Sequence, residues 1–253
     1  GSGGAPIHFA AYPGERPVIH GLLWLKNPSF WIIDGINVTW QPGNSSGDHM
    51  VKLTGGAGWV LQNSELWGAQ SYAALFIGSD SGGPAGWVVQ NNCIHDTGAV
   101  NGQNQDHNIY VNTGLSAGAG TIQRNILYNA PNGRNIKLGG SSTGGGEGST
   151  NVTITSNTLY GAPQTISLSG GTSNIRIEWN IIANAFDGVL VRAYELSGGN
   201  NVVANNFGAG APQFLSSELT DAGGNIMGNP GFNGVGCGAF VPSGAAAAYG
   251  RWR

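Results

Sequence analysis

The chain has 253 residues, room for one large domain or two small ones, and only 9% of them are charged where about 25% is usual. Its net charge of −3 comes without any Lys/Arg cluster, which excludes a basic nucleic-acid surface, and no apolar run approaches the ~20 residues of a membrane span. Disorder is excluded as well, because 40% of the residues are apolar and eight are Trp, enough to build a core.

The opening GSGGAP has neither a basic nor a hydrophobic leader segment and reads as a mature or trimmed end. From residue 31 a short apolar segment recurs: WIIDGINV (31–38), WVLQNSEL (59–66), WVVQNNCI (87–94), TIQRNIL (121–127), TITSNTL (153–159), RIEWNII (176–182) and VVANNFG (202–208). Its first core line is Ile33, Leu61, Val89, Ile122, Ile154, Ile177 and Val203. Five residues on come Val38, Leu66, Ile94, Leu127, Leu159 and Ile182, with Gly208 closing the line. Between the two lines stand Asn92, Asn125, Asn157, Asn180 and Asn206, with Ile36 and Ser64 in the opening copies. Trp31, Trp59 and Trp87 precede the first core line by two residues and read as a packing column or an exposed sugar platform.

Each copy carries a second, strictly alternating strand: MVKL (50–53), ALFI (74–77), NIYV (108–111), NIKL (135–138), TISL (165–168), GVLV (188–191) and, weakly, QFL (213–215). Copies begin 23 to 33 residues apart with no helical period between them, so a flat parallel sheet lacks the crossover helices it would need. A solenoid needs none, because each coil bonds to the next at ~4.8 Å. The expected fold is therefore all-β, a right-handed parallel β-helix of seven to eight coils forming one domain. Residues 1–30 make its first coil or cap, 31–215 the repeated coils and 216–253 a tail or cap. The asparagine line has two physical causes: Asn tolerates left-handed backbone at a bend, and its amide bonds to the Asn of the next coil. Variable loops at 39–49, 95–107 and 139–150 absorb the uneven spacing.

Cys93 and Cys237 could form one disulfide clipping the tail to the body or stay free, and two thiols make no zinc site. The N-x-S/T triplets at Asn37, Asn44 and Asn151 are expected by chance in an Asn-rich chain.

Aligning the second strands on Val51, Leu75, Ile109, Ile136, Ile166 and Val189 puts Lys52, Phe76, Tyr110, Lys137, Ser167 and Leu190 outward. Two residues before that line stand His49, Ala73, His107, Arg134, Gln164 and Asp187. Three after it come Thr54, Gly78, Asn112, Gly139, Ser169 and Arg192. One face thus gathers His49, Lys52, His107, Tyr110, Asn112, Arg134, Lys137, Asp187 and Arg192, including four of the chain's ten Lys and Arg. Asp48-His49 and Asp106-His107 repeat the same pair beside the longest insertions.

The segments APIHFAAYPGERPVIHG (5–21), DHNIYVNTG (106–114) and NIKLGG (135–140) resemble coils of the pectate-lyase-like, polysaccharide-active β-helix superfamily. The resemblance implies a polysaccharide substrate or ligand. A basic strip with Tyr and His suits a uronic-acid polymer cleaved by β-elimination, where a base takes the proton α to the carboxylate and cations stabilise the enolate. Lys137 or His107 is the expected base, Arg134 the carboxylate neutraliser and Tyr110 the acid. His49, Lys52, Asp106, Asn112, Asp187 and Arg192 would bind substrate. A C5-epimerase would use the same groups. No cofactor is expected, and calcium, which many such lyases use, has no acidic ligand cluster in this sequence. Two other readings stand beside the lyase. A glycoside hydrolase needs paired carboxylates about 6.5 to 9.5 Å apart for inversion; Asp48 and Asp106, two coils apart at roughly 10 Å, or Glu147 and Glu195 in loops, are the candidates. A non-catalytic carbohydrate-binding, adhesive or structural module is the third, since an outward strand face carries Lys, Tyr and Arg in any case.

Overall fold

A computed structural model describes residues 1–45, 47–98, 105–140 and 147–252. The chain is a right-handed parallel β-helix whose coils stack three sheets of nine, nine and eight strands. Sheet 1 runs from Ile7–Ala10 to Thr220–Asp221, sheet 2 from Val18–His20 to Ile226–Met227, and sheet 3 from Leu23–Lys26 to Gln213–Leu215. Successive strands in each sheet pair in parallel, coil upon coil. Eight coils carry all three strands, and a ninth adds short strands to sheets 1 and 2 alone. No helix among the described residues is long and apolar enough to cross a membrane.

Each recurring segment is two strands rather than one. Trp87–Gln90 belongs to sheet 1 and Cys93–His95 to sheet 2, and the chain turns between them. The turn is made by a residue of positive φ: Gly35, Asn63, Asn91, Arg124, Ser156, Trp179 and Asn205 in successive coils. Each sits one residue before the asparagine line, so the ladder residues are not the left-handed ones. Their work is hydrogen bonding. Asn92 donates its backbone N–H and its Nδ2 to Asn125 Oδ1, both at 3.0 Å, and its Nδ2 also reaches Leu61 O. Asn125, Asn157, Asn180 and Asn206 repeat the pattern, which ends on Asn225, beyond the segment the sequence alignment covered. A buried amide without partners is costly, and this array satisfies every one of them.

Inward residues of the three sheets form one continuous apolar cluster. Trp59 and Trp87 are fully buried and stacked, with ring centroids 5.6 Å apart, so the tryptophan column is packing. The column stops at Gly120, where a Cβ would lie 2.0 Å from the Trp87 ring. Only a glycine leaves room for that indole.

In sheet 3, Val191 rather than Val189 pairs with Ile166, so the sequence alignment is two residues out in this coil. Arg192 therefore stands beside Ser167 and Tyr194 beside Ser169. Leu190, expected outward, is buried, its side chain against Gly208. Asp187 precedes the strand. A slip of two preserves the inward-outward alternation, which is why the hydrophobic pattern does not exclude it.

The tail lies over sheet 2. Cys93 and Cys237 form a disulfide. Phe240 is fully buried, 5.4 Å from the Tyr128 ring and 5.2 Å from that of Tyr160, while Tyr249 packs on Trp179 and Phe207. Arg251 Nη1 donates to Asn91 Oδ1 at 2.8 Å.

Candidate functional site

Sheet 3 presents a different outer face. Its residues Lys52, Phe76, Tyr110, Lys137, Ser167 and Arg192 fall in one register column. Two adjoining clefts open on it. One, of about 310 Å³, is lined by His49, Tyr72, Gln105, His107, Tyr110, Lys137 and Glu147. The other, of about 520 Å³, shares Gln105 and Lys137 and continues to Arg134, Gln164, Asp187, Arg192 and Tyr194.

His107 reaches the cleft floor because Gly133, in the next coil, lets the Asp106 backbone come close; a Cβ there would lie 1.8 Å from Asp106 O. The His107 side chain is 2% exposed, and its Nδ1 accepts the Arg134 N–H at 3.1 Å. Burial, together with Lys137, Arg134 and His49, holds its pKa well below the ordinary value. His107 is therefore neutral with its proton on Nε2, where it donates. His49 stacks on Phe76 at 4.2 Å, and burial and Lys52 lower its pKa to about 4 against a small opposing effect of Asp80. Phe76 is 6% exposed although it points outward, and its ring fills the space above Gly78, where a Cβ would lie 2.2 Å from it. Burial, reinforced by Glu147, pushes the Tyr110 phenol up to about 12, so it carries its proton at neutral pH. Lys137 Nζ stands 5.6 Å from the Tyr110 ring centroid.

Glu147 enters from the loop the sequence left without a pattern. Asn112 Oδ1 accepts the Gly148 N–H at 3.3 Å, and Gly171 N–H donates to Glu147 O at 3.0 Å. These bonds fix the backbone, and the carboxylate lies over Gly140, where a Cβ would meet Glu147 Oε2 at 1.8 Å.

Arg134 is 4% exposed and forms part of the floor of the second cleft. Its Nε and Nη2 donate to Gln164 Oε1 at 3.2 and 3.0 Å, and Gln164 Nε2 donates to Asp187 Oδ2 at 3.0 Å. Burial lowers its pKa, while Tyr194 and Asp187 oppose the shift. Arg192 and Tyr194 stand on the strand beyond. Lys52 lies outside both clefts, ion-paired with Asp80 at 2.5 Å.

The structure thus brings His49, His107, Tyr110 and Lys137 into one cleft, and Arg134, Asp187 and Arg192 into its neighbour. Asn112 serves by holding the Glu147 loop. Asp106 is buried and Asp48 exposed, and neither lines a cleft, so the hydrolase pair drawn from them is not assembled. Glu195 is exposed, outside both clefts. Sequence reasoning named Glu147 only as a hydrolase carboxylate beside Glu195, and it did not place Tyr194, Gln164, Tyr72 and Gln105 in the site. Tyr194 would have emerged from the correct register; Glu147 sits in a glycine-rich run with no period to place it.

Calcium takes six to eight oxygen ligands, and the clefts offer the carboxylates of Glu147 and Asp187 among three cations, a set that does not fit it. Among the described residues one group has metal-ligand spacing, Cys93, His95 and Cys237, and its two sulfurs are joined in the disulfide.

No protein-family model matches this sequence, and no curated protein does. Among solved structures the chain is similar to the catalytic unit of a thermostable GH87 alpha-1,3-glucanase from Streptomyces thermodiastaticus strain HF3-3. The identity is 14% and the TM-score 0.39 over 79% of this chain, which spans half the length of that structure. At that level substrate and reaction are left to the chain's own residues.

Proposed function

We propose that this β-helix is an extracellular carbohydrate-active protein that takes a uronate-containing polysaccharide along the outer face of sheet 3 and cleaves it by β-elimination. The observation that carries the reading is the pair of joined clefts, which sets Lys137 and Arg192 in one column beside a protonated Tyr110 and a neutral His107. An anionic chain laid across them meets basic side chains two coils apart, Lys137 and Arg192, with Ser167 in the coil between.

In this reading Lys137 Nζ is the base that removes the proton α to the uronate carboxylate. Arg192 and the Nε2–H of His107 stabilise the charge that develops on that carboxylate. The electron pair forms the new carbon–carbon double bond as the glycosidic oxygen leaves, and Tyr110 O–H protonates that oxygen. Arg134, with its donors on Gln164, positions the floor of the second cleft rather than meeting the carboxylate directly. The Cys93–Cys237 bridge supports an oxidising, extracellular setting.

Incubation with polygalacturonate, alginate and glycosaminoglycans, followed by ultraviolet absorbance, tests the reading: unsaturated products are expected from at least one. Glu147 favours a second reading, because a carboxylate beside Tyr110 in the cleft also suits a glycoside hydrolase. New reducing ends without a double bond, abolished by Glu147→Gln, would establish that reading and overturn elimination.

A further inference from the structure

The column that carries the clefts does not begin at them. In register with Lys52, one coil nearer the N-terminal end, stands Trp24, and it is 47% exposed. Its indole N–H donates to Thr54 Oγ1 at 3.1 Å, and that hydroxyl is bonded in turn to Ser81 Oγ, so the ring is held in place rather than lying loose on the surface. Two ammonium groups converge on it. Lys26 Nζ stands 3.9 Å and Lys52 Nζ 4.5 Å from the ring centroid. Asp80 pairs with Lys52, while Lys26 makes no ion pair among the described residues. Asp80 offsets the charge of Lys52, and an anion bound beside Lys26 would offset the other.

The cluster is joined to the cleft by an unbroken run of contacts. Lys52 Nζ lies 5.6 Å from the Phe76 ring, which touches His49 at 4.2 Å and Tyr110 at 5.2 Å between centroids, and Tyr110 leads to Lys137. From Trp24 to Lys137 is four strand spacings, ~19 Å, so a polymer reaching both must be several sugars long.

We propose that Trp24, Lys26 and Lys52 form a distal subsite that holds the carboxylate of a uronate residue far from the bond being cut, so that the groove selects long chains and acts within them. The inference rests on the uronan reading of the clefts and adds chain-length selection to it. A sugar face against the exposed part of the indole and a carboxylate between the two ammoniums would each contribute.

The test is calorimetric titration of oligouronates of increasing length into wild type, Trp24→Ala and Lys26→Ala. Lys26 is exposed, so its variant retains the fold even if loss of the Trp24 anchor disturbs it. Wild type is expected to gain affinity once the chain is long enough to reach Trp24, and both variants to lose that gain, about tenfold in Kd. The same length dependence in variants and wild type overturns the distal subsite while leaving the uronan cleft standing. Wild type that binds no oligouronate of any length overturns both. A sulfated, uronate-free polymer that binds with the same dependence on Trp24 overturns the assignment of the anion as a carboxylate.

Discussion

Sheets 2 and 3 look alike in the sequence, and the structure gives them opposite uses. Both carry an outward line of aromatic and ionisable residues: Trp67, His95, Tyr128 and Tyr160 on sheet 2, and Lys52, Phe76, Tyr110 and Lys137 on sheet 3. On sheet 2 the C-terminal tail lies over that line, and Phe240 packs against Tyr128 and Tyr160. His95 there has two carboxylates, Glu65 at 3.1 Å and Asp96 at 2.7 Å, and stacks on Tyr128. On sheet 3 Gln105 and Glu147 line a groove with the outward residues of the strands. His49 and His107 are influenced more by cations than by carboxylates. An outward histidine or tyrosine is thus no sign of function by itself; what covers it and which charges face it decide.

The largest effect expected from breaking this contrast falls on the covered face. The disulfide closes a separation of 144 residues, so Cys93→Ser with Cys237→Ser should lower stability by up to about 5 kcal/mol in denaturant titration. Turnover per folded molecule should survive, and its loss would mean that the tail also shapes the groove. On the open face, Lys137→Ala should lower kcat about a thousandfold, ~4 kcal/mol in the barrier, with the melting temperature little changed. Tyr110→Phe should cost about a hundredfold, seen as slower release of unsaturated product.

A smaller effect concerns pH. The depressed pKa values of His49 and His107 mean that their neutral forms stabilise the fold above pH 6.5; the His49 contribution fades as the pH falls from there toward about 4, and the His107 contribution changes in the same direction. The melting temperature should drop across that window, and His49→Phe, which keeps a ring against Phe76, should flatten the drop. An unaltered profile would show that His49 gains its proton without penalty.

How legible these two faces were follows from the kind of order each depends on. The core lines and the asparagine ladder repeat every coil, so Ile122, Ile154 and Asn157 announce themselves in register. The strand of sheet 2 did not separate from that of sheet 1, because three residues such as Cys93–His95 have no alternation of their own to show. Asn225 escaped because its coil has shrunk to 19 residues from Asn206. Val189 and Val191 offer the same parity, and only pairing with Ile166 chooses between them. The site itself was half legible: Lys137 and Tyr110 follow from strand alternation. Glu147 depends on bonds to Asn112 and Gly171, partners that local sequence does not reveal. The cover on sheet 2 rests on a long-range pairing of two cysteines whose spacing carries no instruction.

The asparagine ladder has a direction, and that direction meets the order in which a chain is made. In every rung from Ser64 to Asn206 the backbone N–H donates to a side-chain oxygen in the following coil, never the preceding one. Translation delivers a coil of this size in a few seconds, at ~5–20 residues per second. Each newly emerged bend therefore leaves its backbone N–H to water until the ribosome has supplied the coil that carries its acceptor. The terminal rung stops the relay differently: Asn225 gives its amide to Asp221, a carboxylate already synthesised four residues earlier.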